Sequence, residues 1–419
     1  MNTPISGAPP VAEPQPAPRQ SGRVEKLIFG GAGLIRQEGK TILVPRVAPG
    51  EQVQFATARE HKQWAEGELL SVDEASAERI EPFCPVFDRC GGCQYQHLND
   101  EFQRQQKVSI LLETLERVGG VRPELPVEIL FGEPRAYRNR VQVHIDGTRL
   151  GFRAPASRRL VPIEECPIAS PALNQAIKAL RDMAREQRFP RFVESVEFFS
   201  NERKTLLNVL ATKGGQRHVA KWFIEWCAER IPGADQSLLV YRAAGFDLQV
   251  GHRSFFQTNR FLVDPLVDRV LRHATGSNAL DLYSGVGLFS VPLAKRGLAT
   301  TSVESSASAV RDLESNAANH SARIDAVKAS VDAYLASADA VPDLVIADPP
   351  RAGLGKSVVR DLIRLRPQHL TLVSCDPATL ARDLSGLLAE GYKFADLTLV
   401  DLFPNTAHIE TVCDLVLQE

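Results

Sequence analysis

Long hydrophobic runs are absent from this 419-residue chain, in which no apolar stretch approaches 18 uninterrupted residues. A membrane-spanning helix needs about 20 consecutive apolar residues, so the sequence predicts no membrane span. The N-terminus also lacks a basic start followed by an apolar core, the pattern of a secretory signal peptide. We therefore expect a cytoplasmic protein, and we expect it to be a monomer.

An excess of charge of one sign is lacking too, because the formal net charge is only −2. A contact with RNA or DNA would then have to come from a local patch. One candidate stretch contains a single acid, Asp146, and seven arginines: Arg135, Arg138, Arg140, Arg149, Arg153, Arg158 and Arg159. Such a cluster is typical either of a solvated face or of a phosphate-binding surface.

Changes in residue composition and in the spacing of apolar residues divide the chain into four sections. No internal repeat is evident. Residues 1–20 contain six prolines and predict a disordered leader. Residues 21–80 show short alternating apolar runs separated by glycines, which predict a small five-stranded, OB-like barrel. Residues 81–250 predict a mixed α+β domain with a helix at 100–118 and a hairpin at Asp146-Gly147.

Residues 251–419 alternate apolar strand candidates with helical stretches. This order predicts an α/β, Rossmann-like sheet that is mainly parallel and covered on both faces. The last two strand candidates, at 396–402 and 411–417, have no helix between them, so we expect an antiparallel pair at the edge of the sheet.

A glycine loop, Asp281-Leu282-Tyr283-Ser284-Gly285-Val286-Gly287, follows the first of these strands and leads into a helical run. Glycines let a ligand approach the backbone, and a helix start supplies unpaired N–H groups. Glu304 lies 23 residues after Asp281 at a strand end, where an acid can bind ribose hydroxyls. Ser290 stands where a dinucleotide site would want a third glycine. S-adenosylmethionine is therefore favoured over a dinucleotide or a purely structural loop.

Two further motifs directly follow apolar strands: Asp348-Pro349-Pro350-Arg351 and Ser374-Cys375-Asp376-Pro377. The carboxyl ends of parallel strands form one crevice, so both motifs would face the glycine loop. The prolines make the first motif rigid, and it could hold a methyl donor or a planar base, or be only a stiff turn. Cys375 is either a small buried hydrophobe or a nucleophile whose pKa is lowered by the helix that follows.

Glu410 immediately precedes the last apolar strand. Burial there would raise the pKa of its carboxyl and suit a general base, whereas a surface position would give it no such role. These groups fit one reaction. The Cys375 thiolate would add to carbon 6 of a pyrimidine, carbon 5 would take the methyl group, and Glu410 would remove the carbon-5 proton. Gly285, Gly287 and Glu304 would hold the methyl donor.

Four of the seven cysteines are candidate metal ligands. Cys84, Cys90 and Cys93 form a C-x5-C-x2-C run, and Cys166 lies far downstream. Structural zinc usually shows two C-x2-C knuckles, so this spacing favours a [4Fe-4S] cluster over zinc or no metal. Radical chemistry would need an open iron held by three cysteines, whereas four thiols indicate a structural cluster.

Together these motifs resemble the RNA (uracil-5-)-methyltransferase family, in the form that carries a TRAM domain and an iron–sulfur cluster. The resemblance extends over nearly all of the chain after residue 20. It implies that residues 21–80 are a TRAM RNA-binding barrel and that residues 251–419 form a class I methyltransferase domain. It also implies Cys375 as nucleophile, Glu410 as base, and a [4Fe-4S] cluster on the four clustered cysteines.

The resemblance implicates further residues. Phe255-Phe256-Gln257-Thr258-Asn259 is similar to the family segment whose glutamine contacts the cofactor and whose first aromatic stacks on the target base. The positions that match family cofactor contacts are Gln257, Tyr283, Glu304 and Asp348. Leu288 departs from relatives that have asparagine there, so no contact is assigned to it. The arginine stretch becomes an expected RNA surface, with contacts from Arg138, Arg140 and Arg153.

The expected function is S-adenosylmethionine-dependent methylation of carbon 5 of a uridine that is flipped out of structured RNA. The favoured substrate is 23S ribosomal RNA. The alternatives are a tRNA uridine-54 C5-methyltransferase and an RNA cytosine-5 methyltransferase. From a different class, the alternative is an RNA-binding or chaperone module without activity.

Overall fold

The computed structural model describes residues 18–215, 221–234 and 238–418. The predicted leader lies outside these ranges except for its last three residues, two of which open the first strand. The chain divides into two compact units, Met1–Arg79 and Ile80–Glu419. Within the described ranges, no helix is both long and apolar enough to cross a membrane.

The first unit is a β-sheet with strand order β1-β5-β6-β4-β3-β2. Its strands are β1 (Arg19–Arg23), β2 (Lys26–Leu27), β3 (Ala32–Gln37), β4 (Lys40–Pro45), β5 (Gln52–Glu60) and β6 (Trp64–Glu74). Every neighbouring pair is antiparallel except β4 and β6. The prediction of five strands was wrong by one, because β1 begins inside the segment assigned to the leader and pairs with β5.

Alternate residues of these strands face a small apolar core that includes Ile35, Val44 and Phe55. Gly33 is needed where β3 crosses this core. A Cβ atom at that position would lie 2.2 Å from Cγ2 of Val47 and 2.8 Å from Cγ1 of Val24. The glycine-rich pattern of this section therefore reflects close packing as well as turns.

The second unit begins with α+β elements. These are α1 (Asp100–Gly119), β7 (Glu128–Leu130), β8 (Arg140–Asp146), β9 (Arg149–Arg153), β10 (Leu160–Pro162), α2 (Pro171–Ala184), β11 (Val193–Ser200), β12 (Thr205–Thr212), α3 (Lys221–Arg230), β13 (Leu239–Ala243) and β14 (Phe246–Val250). Five of the strands form an antiparallel sheet in the order β10-β9-β8-β11-β12, packed on α2 and α3.

Local signals account for much of this section. The Asn99 side chain caps α1 by accepting a hydrogen bond from the Phe102 N–H, and Gly120 ends the helix with a left-handed φ of 65°. The Asp146-Gly147 turn joins β8 to β9, as predicted. The strand pair β13–β14 was not predicted, since only five residues on each side form it.

The remaining elements build the large sheet. They are α4 (Val263–Val270), β15 (Asn278–Leu282), α5 (Ser290–Lys295), β16 (Ala299–Glu304), α6 (Ala307–Asn319), β17 (Ile324–Lys328), α7 (Val331–Ser337), β18 (Leu344–Ala347), α8 (Gly355–Leu365), β19 (His369–Ser374), α9 (Pro377–Ala389), β20 (Tyr392–Val400) and β21 (Glu410–Leu417). The strand order is β17-β16-β15-β18-β19-β21-β20-β7.

This eight-stranded sheet is mixed. Strands β15 to β19 pair in parallel, and β20 and β21 form the predicted antiparallel pair next to β19. The predicted position of this pair at the edge of the sheet was wrong, because β7 pairs with the outer side of β20. The chain runs outward from β15 toward β17 on one side and from β18 toward β19 on the other. A crevice for a ligand is expected where these directions diverge, at the carboxyl ends of β15 and β18.

Candidate active site

Five segments that contain candidate catalytic or cofactor-binding residues lie at the same end of the strands of the large sheet. The glycine loop follows β15, Glu304 ends β16, Asp348 follows β18, and Cys375 follows β19. Antiparallel pairing of β19 with β21 sets Ser374 opposite Thr411, so Cys375 and Glu410 are the next residues opposite each other. The charge of Glu410 raises the pKa of the Cys375 thiol, so the two side chains lie near each other although 34 residues separate them in the sequence.

Three residues of the glycine loop have positive φ angles, and two of them are glycines, which adopt such angles without strain. The φ angles of Tyr283, Gly285 and Gly287 are 61°, 55° and 90°. A side chain at Gly287 would clash, because its Cβ would lie 2.6 Å from Cδ1 of Leu313. The Gly285 N–H donates to Oε2 of Glu304 at 3.1 Å, so the carboxylate braces the loop from the neighbouring strand.

Two carboxyl groups lie next to this loop, that of the buried Asp281 and that of the half-buried Asp348. Burial, together with the negative charges of Asp348 and Glu304, raises the pKa of Asp281 to about 7. The Ser290 hydroxyl donates a hydrogen bond to this carboxyl and acts in the opposite direction. Burial also raises the pKa of Asp348 to about 7, and Nε2 of Gln257 donates to its Oδ2 at 3.3 Å. Gln257 thus reaches the predicted cofactor site.

Some buried polar atoms of this region have no hydrogen-bond partner among the described residues. They include Oδ1 of Asp281 and Oγ of Ser284. Buried polar atoms without partners are costly, and a polar ligand can satisfy them. These unpaired polar atoms, together with the open backbone of the glycine loop, could form hydrogen bonds with a ligand that has hydroxyl and amine groups, as S-adenosylmethionine has.

The electrostatics of Cys375 differ from the expectation. Burial, together with the charges of Glu410 and Asp348, raises the pKa of its thiol to about 11, although the charge of Arg351 acts in the opposite direction. The prediction that the helix start lowers this pKa was wrong for the protein alone. The N–H groups of Ala378 and Thr379 at the start of α9 donate to the Asp376 carboxylate, which brings a negative charge to that end of the helix.

Glu410 is only 7% exposed. Burial raises the pKa of its carboxyl well above the ordinary value, the charge of Asp348 raises it further, and Arg351 lowers it. The direction expected for a general base is therefore present.

Arg351 is a site residue to which sequence reasoning assigned no role. It is exposed, yet its charge lowers the pKa of both Cys375 and Glu410. Its position directly after Asp348-Pro349-Pro350 was the available signal. The predicted reaction needs a Cys375 thiolate and a Glu410 carboxylate, and the positive charge of Arg351 stabilises both anions.

The seven arginines do not form one exposed face, which corrects the expectation. Arg138 is half-buried beside the cysteines and over the Phe403 ring, and its buried Nε has no hydrogen-bond partner among the described residues. Arg140 donates from Nη2 to the Ser254 carbonyl at 3.0 Å and lies 4.3 Å from the Phe199 ring centre. Arg153 donates to the Arg158 carbonyl.

The four clustered cysteines line one cavity of about 350 Å³, together with Arg138. Burial raises the pKa of all four thiols, to about 12 for Cys93 and about 11 for Cys166. In the described part of the chain, these cysteines contribute to no group of three or more ligand atoms that meet within 4.8 Å. Tetrahedral zinc with sulfur at about 2.3 Å would bring thiols within about 4 Å of each other. Four cysteine thiols that line one cavity are the donor set that an iron–sulfur cluster takes.

Phe255 is 63% exposed and thus available for stacking. It lines a cavity of about 550 Å³ beside β12, together with Arg140, Asn208, His252 and Arg253.

Comparison with known proteins agrees with this arrangement. A family model described as tRNA (uracil-5-)-methyltransferase matches residues 235–418. The 23S rRNA (uracil(1939)-C(5))-methyltransferase RlmD of Halomonas elongata is 32% identical, over 93% of this chain and 88% of that protein. The RlmD of Shewanella woodyi is 30% identical, over 97% of each.

Among solved structures, the Pyrococcus abyssi tRNA (uracil-54, C5)-methyltransferase in complex with S-adenosyl-L-homocysteine matches with a TM-score of 0.74. Its sequence identity is 25%, and the match covers 95% of this chain and 100% of that one. The large mixed sheet is accordingly that of a class I S-adenosylmethionine-dependent methyltransferase. From these matches together, the chain belongs to the RNA (uracil-5-)-methyltransferase family.

Proposed function

We propose that this enzyme methylates a uridine of 23S ribosomal RNA through a covalent adduct on Cys375. The general activity, S-adenosylmethionine-dependent methylation of uracil carbon 5 in RNA, follows from family membership. The ribosomal substrate is supported by the full-length relatives named for 23S rRNA. The observation that carries the mechanism is the β19–β21 register, which pairs Ser374 with Thr411 and so brings the adjoining Cys375 thiol near the buried Glu410 carboxyl.

The reaction needs two deprotonated groups at different steps. The Cys375 thiolate bonds to carbon 6 of the uracil, and the displaced electron pair moves through carbon 5 to the carbon-4 oxygen. Carbon 5 then attacks the methyl group of the sulfonium, and S-adenosylhomocysteine leaves. Finally the Glu410 carboxylate takes the carbon-5 proton, the 5,6 double bond re-forms, and the carbon–sulfur bond breaks with its electrons on Sγ. The Arg351 charge favours both anions.

The methyl donor would be held by the residues around the glycine loop: Gln257, Tyr283, Gly285, Gly287, Glu304 and Asp348. The Asp348 carboxyl has a pKa of about 7 in the protein alone. A sulfonium beside it would favour the carboxylate, and this attraction ends when the neutral product forms. Asp348 would therefore bind the positively charged S-adenosylmethionine more strongly than the neutral S-adenosylhomocysteine.

For the RNA, we assign the target base to the side of the crevice at Phe255, whose exposed ring can stack on it. The neighbouring cavity with Arg140 and Arg253 suits an adjacent nucleotide, because guanidinium groups bind phosphate. Arg153 remains a candidate phosphate contact. We assign the first unit, whose strands extend from Arg19 to Glu74, as the TRAM RNA-binding barrel, followed by a central domain up to residue 250 and the catalytic domain at 251–419.

The nucleoside that gains a methyl group tests this function. Purified enzyme, labelled S-adenosylmethionine and separate 23S rRNA and tRNA transcripts are incubated, and the RNA is digested to nucleosides. The expected product is 5-methyluridine from the 23S rRNA transcript. Label in 5-methylcytidine, or only in tRNA, would favour the alternative methyltransferases, and no label in any RNA would favour a binding module.

We also propose that Cys84, Cys90, Cys93 and Cys166 hold a [4Fe-4S] cluster. When bound, the cluster would cross-link the segment around Cys90 to the distant Cys166. Protein purified without oxygen should then be brown and contain about four iron atoms per chain. Cys166→Ser should lower the iron content, whereas Cys227→Ser, at a buried cysteine of α3 outside this cavity, should not. A colourless protein with one zinc would contradict the proposal.

A further inference from the structure

The loop that delivers Glu410 is buried although it is irregular. It comprises residues 401–409, between β20 and β21, and Leu402, Asn405 and Thr406 are each at most 2% exposed. Buried backbone outside helices and sheets needs hydrogen-bond partners from elsewhere in the protein. For this loop, most of them come from the segment that follows Cys93 and from α1.

Asn405 is the centre of these contacts. The N–H groups of Gln94 and Tyr95 both donate to its carbonyl at 3.0 Å. Its own N–H donates to Oε1 of Gln103 at 2.9 Å, and its side-chain Nδ2 donates to the Pro134 carbonyl at 2.9 Å. These bonds hold Asn405 at a φ of 67°, a left-handed conformation that asparagine tolerates better than most residues.

Lys107 of α1 holds the start of the same loop. Its Nζ donates to Oδ1 of Asp401 at 2.7 Å and to the Phe403 carbonyl at 3.0 Å. The side chains of this ion pair are 1% and 3% exposed, so the contact is shielded from water. Both ends of the loop are therefore fixed to the part of the chain that begins at the clustered cysteines.

Gln94 makes the most direct connection. Its Nε2 donates to the carbonyl of Gly91 at 3.0 Å, inside the turn Cys90-Gly91-Gly92-Cys93. Its Oε1 accepts from the N–H of Ala407 at 3.1 Å, three residues before Glu410. The Gln94 side chain therefore links the turn between Cys90 and Cys93 to the 401–409 loop that precedes Glu410.

We propose that Gln94 is a positioning residue for proton abstraction, because it fixes the 401–409 loop and so holds the Glu410 carboxyl against carbon 5 of the adduct. The inference rests on the proposed function. A carboxylate displaced by about 1 Å from its proton can lose about 100-fold in rate. Methyl transfer does not need Glu410, so loss of Gln94 slows the step after it. The adduct that should then accumulate carries both a methyl group and a proton on carbon 5.

The test compares Gln94→Leu with a matched control, Gln105→Leu. Gln105 lies on the exposed face of α1, and its side chain donates to Oε1 of Glu101. Gln94→Leu should lower kcat about 10- to 100-fold and leave kcat/KM for S-adenosylmethionine unchanged, because methyl transfer precedes the slowed step. It should also raise severalfold the fraction of enzyme bound covalently to RNA that contains ordinary uridine. The control should match the wild type in all three measurements.

A second variant separates this role from a general loss of folding. Gln94→Glu keeps the acceptor for the Ala407 N–H but loses the donor to Gly91, and its adduct fraction should be lower than that of Gln94→Leu. The iron content of each variant is measured in parallel. The inference is overturned if Gln94→Leu shows no more adduct than the Gln105→Leu control, whatever its iron content. Wild-type enzyme that makes no 5-methyluridine would instead overturn the proposed function.

Discussion

Cys375→Ala is expected to abolish turnover while the enzyme still binds S-adenosylmethionine. Without the thiol, carbon 6 gains no covalent bond and carbon 5 does not become nucleophilic enough to attack the methyl group. Loss of an essential nucleophile lowers kcat by about 10⁴-fold or more. The proposed donor-binding residues are Gln257 and the residues at the ends of β15, β16 and β18, whereas Cys375 follows β19, so donor affinity should be retained.

Two measurements check this expectation. Titration calorimetry compares the affinity of variant and wild type for S-adenosylmethionine. A denaturing gel with RNA that contains 5-fluorouridine detects the adduct, since fluorine on carbon 5 prevents the final proton removal. Wild type should form a stable complex and Cys375→Ala none. Cys227→Ala, which removes a buried thiol from α3, is the matched control and should behave as wild type. Full turnover by Cys375→Ala would refute the covalent mechanism.

Glu410→Gln is expected to trap the enzyme on ordinary RNA. Glutamine has nearly the same size but cannot take the carbon-5 proton, so the adduct forms and receives the methyl group but does not resolve. General base catalysis contributes about 10²- to 10⁴-fold, and kcat should fall by that amount. The covalent complex should be visible on a denaturing gel without 5-fluorouridine.

This substitution should not harm the fold. The pKa of Glu410 is raised in the folded protein, so ionisation of this carboxyl opposes folding at a pH above its unfolded value of about 4.3. A neutral amide removes that cost, and Glu410→Gln should unfold at neutral pH at a temperature no lower than the wild type. Glu390→Gln, at the exposed end of α9, is the control for the loss of a carboxylate. If no complex accumulates in Glu410→Gln, another group is the base.

The Cys375, Glu410 and Gln94 variants together show in which order the steps of the reaction occur. Cys375→Ala stops the reaction before the adduct, Glu410→Gln stops it after methyl transfer, and Gln94→Leu should slow the same late step to a smaller extent. A structural effect on the whole protein would not produce this order, because it would reduce adduct formation and resolution together.

Sequence patterns predicted the elements that carry strong local signals. The four apolar runs behind the candidate site became β15, β16, β18 and β19, and the stop at Gly119-Gly120 ended α1. β17 was missed because its five residues include two charged ones and lie at a sheet edge. β7 was missed because a three-residue strand has no periodicity, and it joins the large sheet only by pairing with β20.

The sequence by itself determined which chemical groups are present and at which strand ends they lie, since spacing and hydrophobic pattern are local properties. Only the tertiary structure decided how those groups act on one another. It brought Glu410 near Cys375 and placed Arg351 where its charge acts on both groups. It also raised the thiol pKa that the following helix was expected to lower. Burial and long-range charge decide such pKa values, and both depend on residues that are distant in the sequence.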